Sequence, residues 1–192
     1  MLSKRQKEER IVRKQSILDG ALKVFKIHGI EKTTMDEIAH ESGFGKATLY
    51  YYFASKDEVF IAIMEDGWKK LWEGIESEIT HNLKPRKKFM GIINKMAKIV
   101  KNNKILYGFL FTAPNHIHDE TKQTWKTYQQ RLYAILKSII EEGINKKEFL
   151  DVNPQILMKA IGGLFHGLLI ENKDDLDNKE FEIMLKNFLK PE

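Results

Sequence analysis

A chain of 192 residues, 42% of them hydrophobic, can bury either one small domain beside a larger one or a single larger core. Its 31% charged residues and only 4 Pro favour helices, and the absence of Cys removes disulfides, thiolate nucleophiles and cysteine-bound metal from consideration. The net charge of +5 is unevenly placed: residues 1–56 carry eleven Lys/Arg against seven Asp/Glu, the remaining 136 twenty-one against twenty. A basic N-terminal end suits a polyanionic partner, and it equally suits a solvated lysine-rich surface.

In chain order, Ile11, Ile17, Leu18, Ala21, Leu22 and Phe25 recur at helical spacing from about Lys7 to His28, and Gly29 stands where a left-handed C-cap residue is expected. A short helix follows, with Thr34 and Glu37 at capping-box spacing and Met35, Ile38 and Ala39 on its apolar face. Glu41-Ser42-Gly43 reads as a tight turn and Lys46 to Phe53 as a second short helix. Ser55 and Glu58 cap a long helix with a stripe of Val59, Phe60, Ile63, Met64, Trp68, Leu71, Trp72, Ile75 and Ile79. After the break at Lys84-Pro85, helices are expected from about Arg86 to Asn102, Lys104 to Thr112, Asp119 to Asn145, Asn153 to Asn172 and Asn178 to Leu189. Asn153 is the expected N-cap of the penultimate one, with Pro154 at its first position. No repeat or strand alternation is present. The expected fold is all-α with about nine helices. No apolar run is long enough to span a membrane, and the charged start from Met1 to Lys14 lacks a signal-peptide core, so a cytoplasmic location is expected.

Two short helices joined by a glycine-containing turn and packed on a longer first helix make a helix-turn-helix. Ile38, Ala39, Phe44, Leu49 and Phe53 can interlock beneath it, leaving Lys46, Ala47, Thr48, Tyr50 and Tyr51 to enter a major groove, whose base edges carry the readable code. Tyr51 and Tyr52 offer hydroxyl donors to phosphate oxygens, while Thr34 and Lys56 stand at helix starts, where donors converge on anions. Thr34 and Ser55 are caps whether or not DNA is present, and Tyr50 suits packing as well as reading. A solvent-exposed run of three tyrosines is costly unless something covers it.

The segment from Thr33 to Lys56 resembles the DNA-binding signature of TetR-family regulators, most closely in Thr33-Thr34, Ile38-Ala39, Ser42-Gly43, Thr48-Leu49-Tyr50-Tyr51-Tyr52-Phe53 and Ser55-Lys56. The resemblance is close from about Ile17 to Phe60 and implies that Tyr51, Tyr52, Lys56 and the start of the second helix clamp phosphates while the third helix reads bases. Three positions depart from the pattern. Gly45 stands where a Ser usually caps the recognition helix, Ala47 replaces a frequent Gly, and Tyr52 a frequent His. Ahead of the motif, Lys4, Arg5, Lys7, Arg10, Arg13 and Lys14 form a basic arm, read equally well as a phosphate contact or a tail.

The resemblance implies a division into a DNA-binding domain, residues 1–56, and a helical effector-binding and dimerisation domain, residues 57–192. Gly163 and Gly167 lie four apart on one helix face, where small residues let a second subunit's helix approach, with Leu164, Leu168, Phe181, Leu185 and Phe188 as the seam. Trp68, Trp72, Met96, Tyr107, Phe111, Trp125 and Tyr128, with His166, are the expected lining of an apolar effector cavity, although an ordinary filled core uses the same residues. His116 and His118 lack further ligands for a metal, and no cofactor is expected. No catalytic triad spacing or phosphate-cradling glycine loop is visible, so no enzyme activity is expected. The expected partners are a palindromic double-stranded operator, a second copy of the chain and a small apolar or aromatic effector. The competing expectation is an architectural DNA-binding protein without a small-molecule switch.

Overall fold

The computed structural model describes residues 3–112, 124–171 and 178–189. Among the described residues there are nine α-helices and no strand: α1 (Lys4–Lys32), α2 (Met35–Ser42), α3 (Lys46–Tyr52), α4 (Lys56–Thr80), α5 (Pro85–Asn102), α6 (Lys104–Thr112), α7 (Trp125–Asn145), α8 (Pro154–His166) and α9 (Asn178–Leu189). The chain forms two compact units that divide within α4, between Asp66 and Gly67.

In the first unit, α1 packs on α2 and α2 on α3; the buried residues are Ile17, Leu18, Ala21, Leu22 and Phe25 of α1, Ile38 and Ala39 of α2, Leu49 and Phe53, and Val59, Phe60 and Ile63 of α4. Ile11 falls outside this core at 69% exposure, because α1 runs beyond the helices it packs on and residues 3–14 are all exposed. Phe44 is only half-buried. Gly29 has the expected positive φ of 76°, but its ψ of 160° is extended rather than left-handed helical. That region is open essentially to glycine alone, and it kinks the chain before the Thr33 hydroxyl donates to the Gly29 carbonyl at 2.8 Å.

The second unit is organised on α5, whose Phe89, Ile92, Ile93, Met96 and Val100 are buried and which packs against α6, α7 and α9. Pro85 occupies its first position, where a missing N–H costs nothing. Asn153 caps α8 as expected, its Oδ1 accepting from the Gln155 N–H at 2.9 Å, with Pro154 next. α8 was expected to continue to about Asn172; the α-helix ends at His166 and passes into a π-helical turn, Gly167–Glu171. The expected start of α7 at Asp119 lies outside the described residues.

Candidate functional site

The turn between α2 and α3 is specified locally at nearly every position. At the start of α2 the Glu37 N–H donates to Thr34 Oγ1 at 3.3 Å, while a Glu37 carboxylate oxygen accepts from the Thr34 N–H at 2.7 Å and from its hydroxyl at 2.8 Å. These hydrogen bonds, first among them the one from the Thr34 backbone, hold the Glu37 carboxyl below its ordinary pKa. At the other end Gly43 adopts φ 74°, ψ 21°, its N–H donating to the His40 carbonyl while the Phe44 N–H reaches Ala39 at 3.0 Å. That pair of bonds is the Schellman closure, which needs a residue tolerant of the left-handed region. Gly45 then opens α3 without any side-chain cap, as its lack of a hydroxyl requires.

α2 lies unusually close to α1. A methyl group at Gly20 would stand 2.8 Å from the Ser42 backbone nitrogen and 2.9 Å from its Cα, so only glycine permits this crossing. Spacing alone does not single out this glycine, since its neighbour is 22 positions away in the chain.

α3 exposes the side chains expected to meet DNA. Lys46 and Ala47 are exposed, Thr48 and Tyr52 half-buried, and Tyr50 and Tyr51 are 47% and 69% exposed, while Leu49 is wholly inside. Thr34 is exposed, but its hydroxyl is engaged by Glu37. Lys46 Nζ lies 2.8 Å from Asp36 Oδ1, and this hydrogen bond with its attendant charge attraction raises the lysine pKa.

Lys56 is placed differently from the expected phosphate contact. Its ammonium donates to the carbonyls of Ile30, Glu31 and Thr33 at 3.0, 2.7 and 3.3 Å, closing the end of α1 where carbonyls lack helical partners. Its three donors are therefore spent on the fold, which makes Lys56 a positioning residue for α4. Tyr51 and Tyr52 meet edge to face at 5.2 Å, and the Arg10 guanidinium lies 5.6 and 5.9 Å from their ring centres.

In the second unit an apolar cavity of about 300 Å³ is lined by Trp68, Met96, Phe111 and His166, four of the eight residues expected there. Trp72, Tyr107, Trp125 and Tyr128 are not in its wall. Tyr107 and Trp125 are buried in the core, and Trp72 lies under the Arg131 guanidinium at 4.3 Å with Tyr128 beside it at 6.2 Å. An aromatic pattern cannot tell a filled core from a hollow one. Phe89, Ile93, Leu132, Met158 and Phe165 complete much of the lining, and Gln129, Tyr133 and Gly162 are its exposed members. The Trp68 Nε1–H is buried without a hydrogen-bond partner among the described residues. His166 Nδ1 stands 3.5 Å from Glu171 Oε1 across the π-helical turn.

Of the residues expected at a subunit seam, Gly163 is exposed and Leu164, Gly167 and Leu168 are half-buried; a Cβ at Gly163 or Gly167 would meet nothing within 4 Å. Phe181 and Leu185 are instead buried within the protomer at 1% and 0% exposure, Phe181 against Phe165 at 6.2 Å between ring centres. α9 turns its apolar stripe to its own core. The Phe188 side chain and the residues His116 and His118 lie outside the described residues. Among the described residues no three His, Asp or Glu side chains gather as a metal site requires, and no helix is long and apolar enough to cross a membrane.

The family described as bacterial regulatory proteins, tetR family, matches residues 17–63, and the Tetracyclin repressor-like C-terminal domain matches residues 82–169. The chain belongs to the TetR family. As a TetR-family protein it is a DNA-binding transcriptional regulator with a helix-turn-helix in α2 and α3. Among its relatives, the uncharacterized HTH-type transcriptional regulator YfiR of Bacillus subtilis is 29% identical, over 77% of this chain and 73% of that protein. The HTH-type transcriptional regulator BetI of Brucella anthropi is 23% identical over 84% and 81%. The TetR fold is shared with AibR in complex with isovaleryl coenzyme A and operator DNA, at a TM-score of 0.81 and 19% identity over 93% and 98% of the two chains. It is shared also with FadR from Bacillus subtilis in complex with stearoyl-CoA, at a TM-score of 0.71 and 18% identity over 92% and 98%.

Proposed function

We propose that two copies of this chain bind a palindromic operator as a cytoplasmic repressor and release it when a small, largely apolar effector occupies the second unit. The observation that carries this reading is the exposure of Tyr50 and Tyr51 on α3 beside the exposed Lys46, a recognition surface left largely open among the described residues. In a dimer, the two α3 helices fit successive major grooves, roughly 34–36 Å apart. The open faces of Gly163 and Gly167, with Leu164 and Leu168, support α8 as the subunit contact. Thr48 and Tyr50 are assigned to bases, Tyr51 and Tyr52 to phosphates, and Lys46 to a base acceptor or a phosphate beside it.

The cavity supports the effector half of the reading. An engineered apolar cavity of about 150 Å³ takes up benzene, so one of about 300 Å³ suits an apolar group of roughly a dozen heavy atoms. The acyl thioesters held by AibR and FadR make short and medium acyl-CoA compounds the first effectors to try. Trp68, in the cavity wall, belongs to α4, the helix that begins at Lys56, so a ligand that displaces Trp68 acts directly on that helix. No catalytic step is assigned.

Genome-wide mapping of binding sites, with and without a series of acyl-CoA compounds, tests this reading. A few palindromic promoter sites, emptied by one compound, are the expected result. Many dispersed sites would favour an architectural protein, and promoter sites insensitive to every compound in the series would remove the acyl effector.

A further inference from the structure

We infer that the exposed N-terminal turns of α1 are part of the DNA-binding surface, with Arg10, seated on Tyr51 and Tyr52, as a phosphate-binding group. The inference rests on DNA binding by α3 and adds a contact outside the helix-turn-helix. It begins from a shortage of free charge. The two lysines best placed in sequence to meet phosphates are both engaged, Lys56 by three carbonyls and Lys46 by Asp36.

The arm supplies what is missing. From Lys4 to Lys14 it carries six Lys/Arg against two Glu, and it is helical from a capping box in which the Gln6 N–H donates to Ser3 Oγ and the Gln6 side chain accepts from the Ser3 N–H. Residues 3–14 are all exposed, so burial in the core does not account for this basic helix. Arg5 is paired with Glu9 at 2.9 Å. Arg10 is not: it stands over the Tyr51 and Tyr52 rings with no carboxylate or carbonyl accepting from it among the described residues. One turn on, Lys14 Nζ lies 5.6 Å from the centre of the Phe53 ring. A guanidinium resting on aromatic rings is held in place by a contact that uses none of its N–H donors, and a phosphate can accept two of them side by side. The two rings that seat Arg10 each carry a hydroxyl donor. Arg10 and the two tyrosines thus form one anion site from two helices, preorganised before DNA arrives.

The test uses the full chain and a fluorescent 40-base-pair duplex of mixed sequence, since a phosphate contact needs no operator. Binding is titrated across a range of NaCl concentrations, and thermal unfolding is followed in parallel. Arg10→Ala should make the slope of log K against log salt shallower by about 0.9 and weaken binding at 0.1 M salt by roughly eightfold, the counter-ion release of a single contact. Arg10→Lys should recover the slope and only part of the affinity, because charge returns without the planar fork. Tyr51→Ala, which removes part of the seat and no charge, should shrink the effect of Arg10→Ala measured on top of it. If Arg10→Ala lowers the unfolding midpoint while slope and affinity stay at wild-type values, Arg10 merely braces the fold and the inference is overturned. A wild-type chain that fails to bind the duplex at low salt would sink DNA binding itself, and this contact with it.

Discussion

The ammonium of Lys46, first residue of α3, lies 2.8 Å from Oδ1 and 3.0 Å from Oδ2 of Asp36 in the first turn of α2. The pair spans the helix-turn-helix and sits in water, both side chains being about two-thirds exposed. Exposed pairs of this kind add little to stability. Their effect falls on binding, because Asp36 both occupies Lys46 and opposes a phosphate backbone. Asp36→Asn should therefore tighten binding to duplex DNA several-fold and steepen the salt slope by about 0.9, with the unfolding midpoint nearly unchanged. Anisotropy titrations at four salt concentrations check this, and an unaltered slope would place Lys46 away from phosphates.

The α1–α2 crossing makes a prediction of opposite kind. Alanine has the higher helix propensity, by about 1 kcal/mol over glycine, so Gly20→Ala would stabilise an isolated α1. Here the added methyl meets Ser42 N, Cα and Cβ at 2.8–2.9 Å, and most of that obstacle is backbone that cannot rotate aside. Overpacking of this sort costs about 1–3 kcal/mol. Net destabilisation in urea unfolding is expected, together with weaker DNA binding as α2 is pushed off α1. A variant more stable than wild type would show that the crossing can widen freely.

Glu37 gives the first unit a pH dependence whose direction is fixed by its bonds to Thr34. Its folded pKa lies below the ordinary 4.5, so its contribution is fully present above that value and is lost as pH falls through the lowered one. Glu37→Gln should lower the unfolding midpoint at neutral pH, and the difference from wild type should shrink as pH falls below the ordinary carboxylate range and the wild-type carboxyl takes up its proton. Parallel melts across that range decide the matter. A difference that persists undiminished at acid pH would assign the loss to packing.

What was legible in the sequence follows from the range of each interaction. The Thr34–Glu37 box, the Gly43 turn, the uncapped Gly45 and the Asn153-Pro154 start are set within a few residues, and their chemistry is written in adjacent letters. The three carbonyls that hold Lys56 are 23 to 26 residues away, and the Gly20 contact 22, so neither has a local signature. Phe181 and Leu185, expected at a seam, are buried within the protomer for a different reason. An amphipathic stripe says that a face is covered, not whether its own chain or another covers it. The cavity was half legible for the same cause, aromatic side chains being as frequent in a solid core as around a void.

Trp68 offers a sharper test of that void, because its indole N–H has no partner among the described residues and the residue is only 2% exposed. Leaving a buried donor unsatisfied costs about 1–3 kcal/mol, a penalty that Trp68→Phe removes. The smaller ring gives up two carbons of apolar burial, roughly 1.6 kcal/mol at about 0.8 kcal/mol per methylene-sized group. The two effects nearly cancel, so Trp68→Phe should unfold within about 1 kcal/mol of wild type, whereas Trp68→Ala should lose the 3–5 kcal/mol usual for a deleted core aromatic. Calorimetry of both variants measures the contrast. A phenylalanine variant as damaged as the alanine one would mean that the indole nitrogen is paired in solution, by water or by a molecule already resident in the cavity.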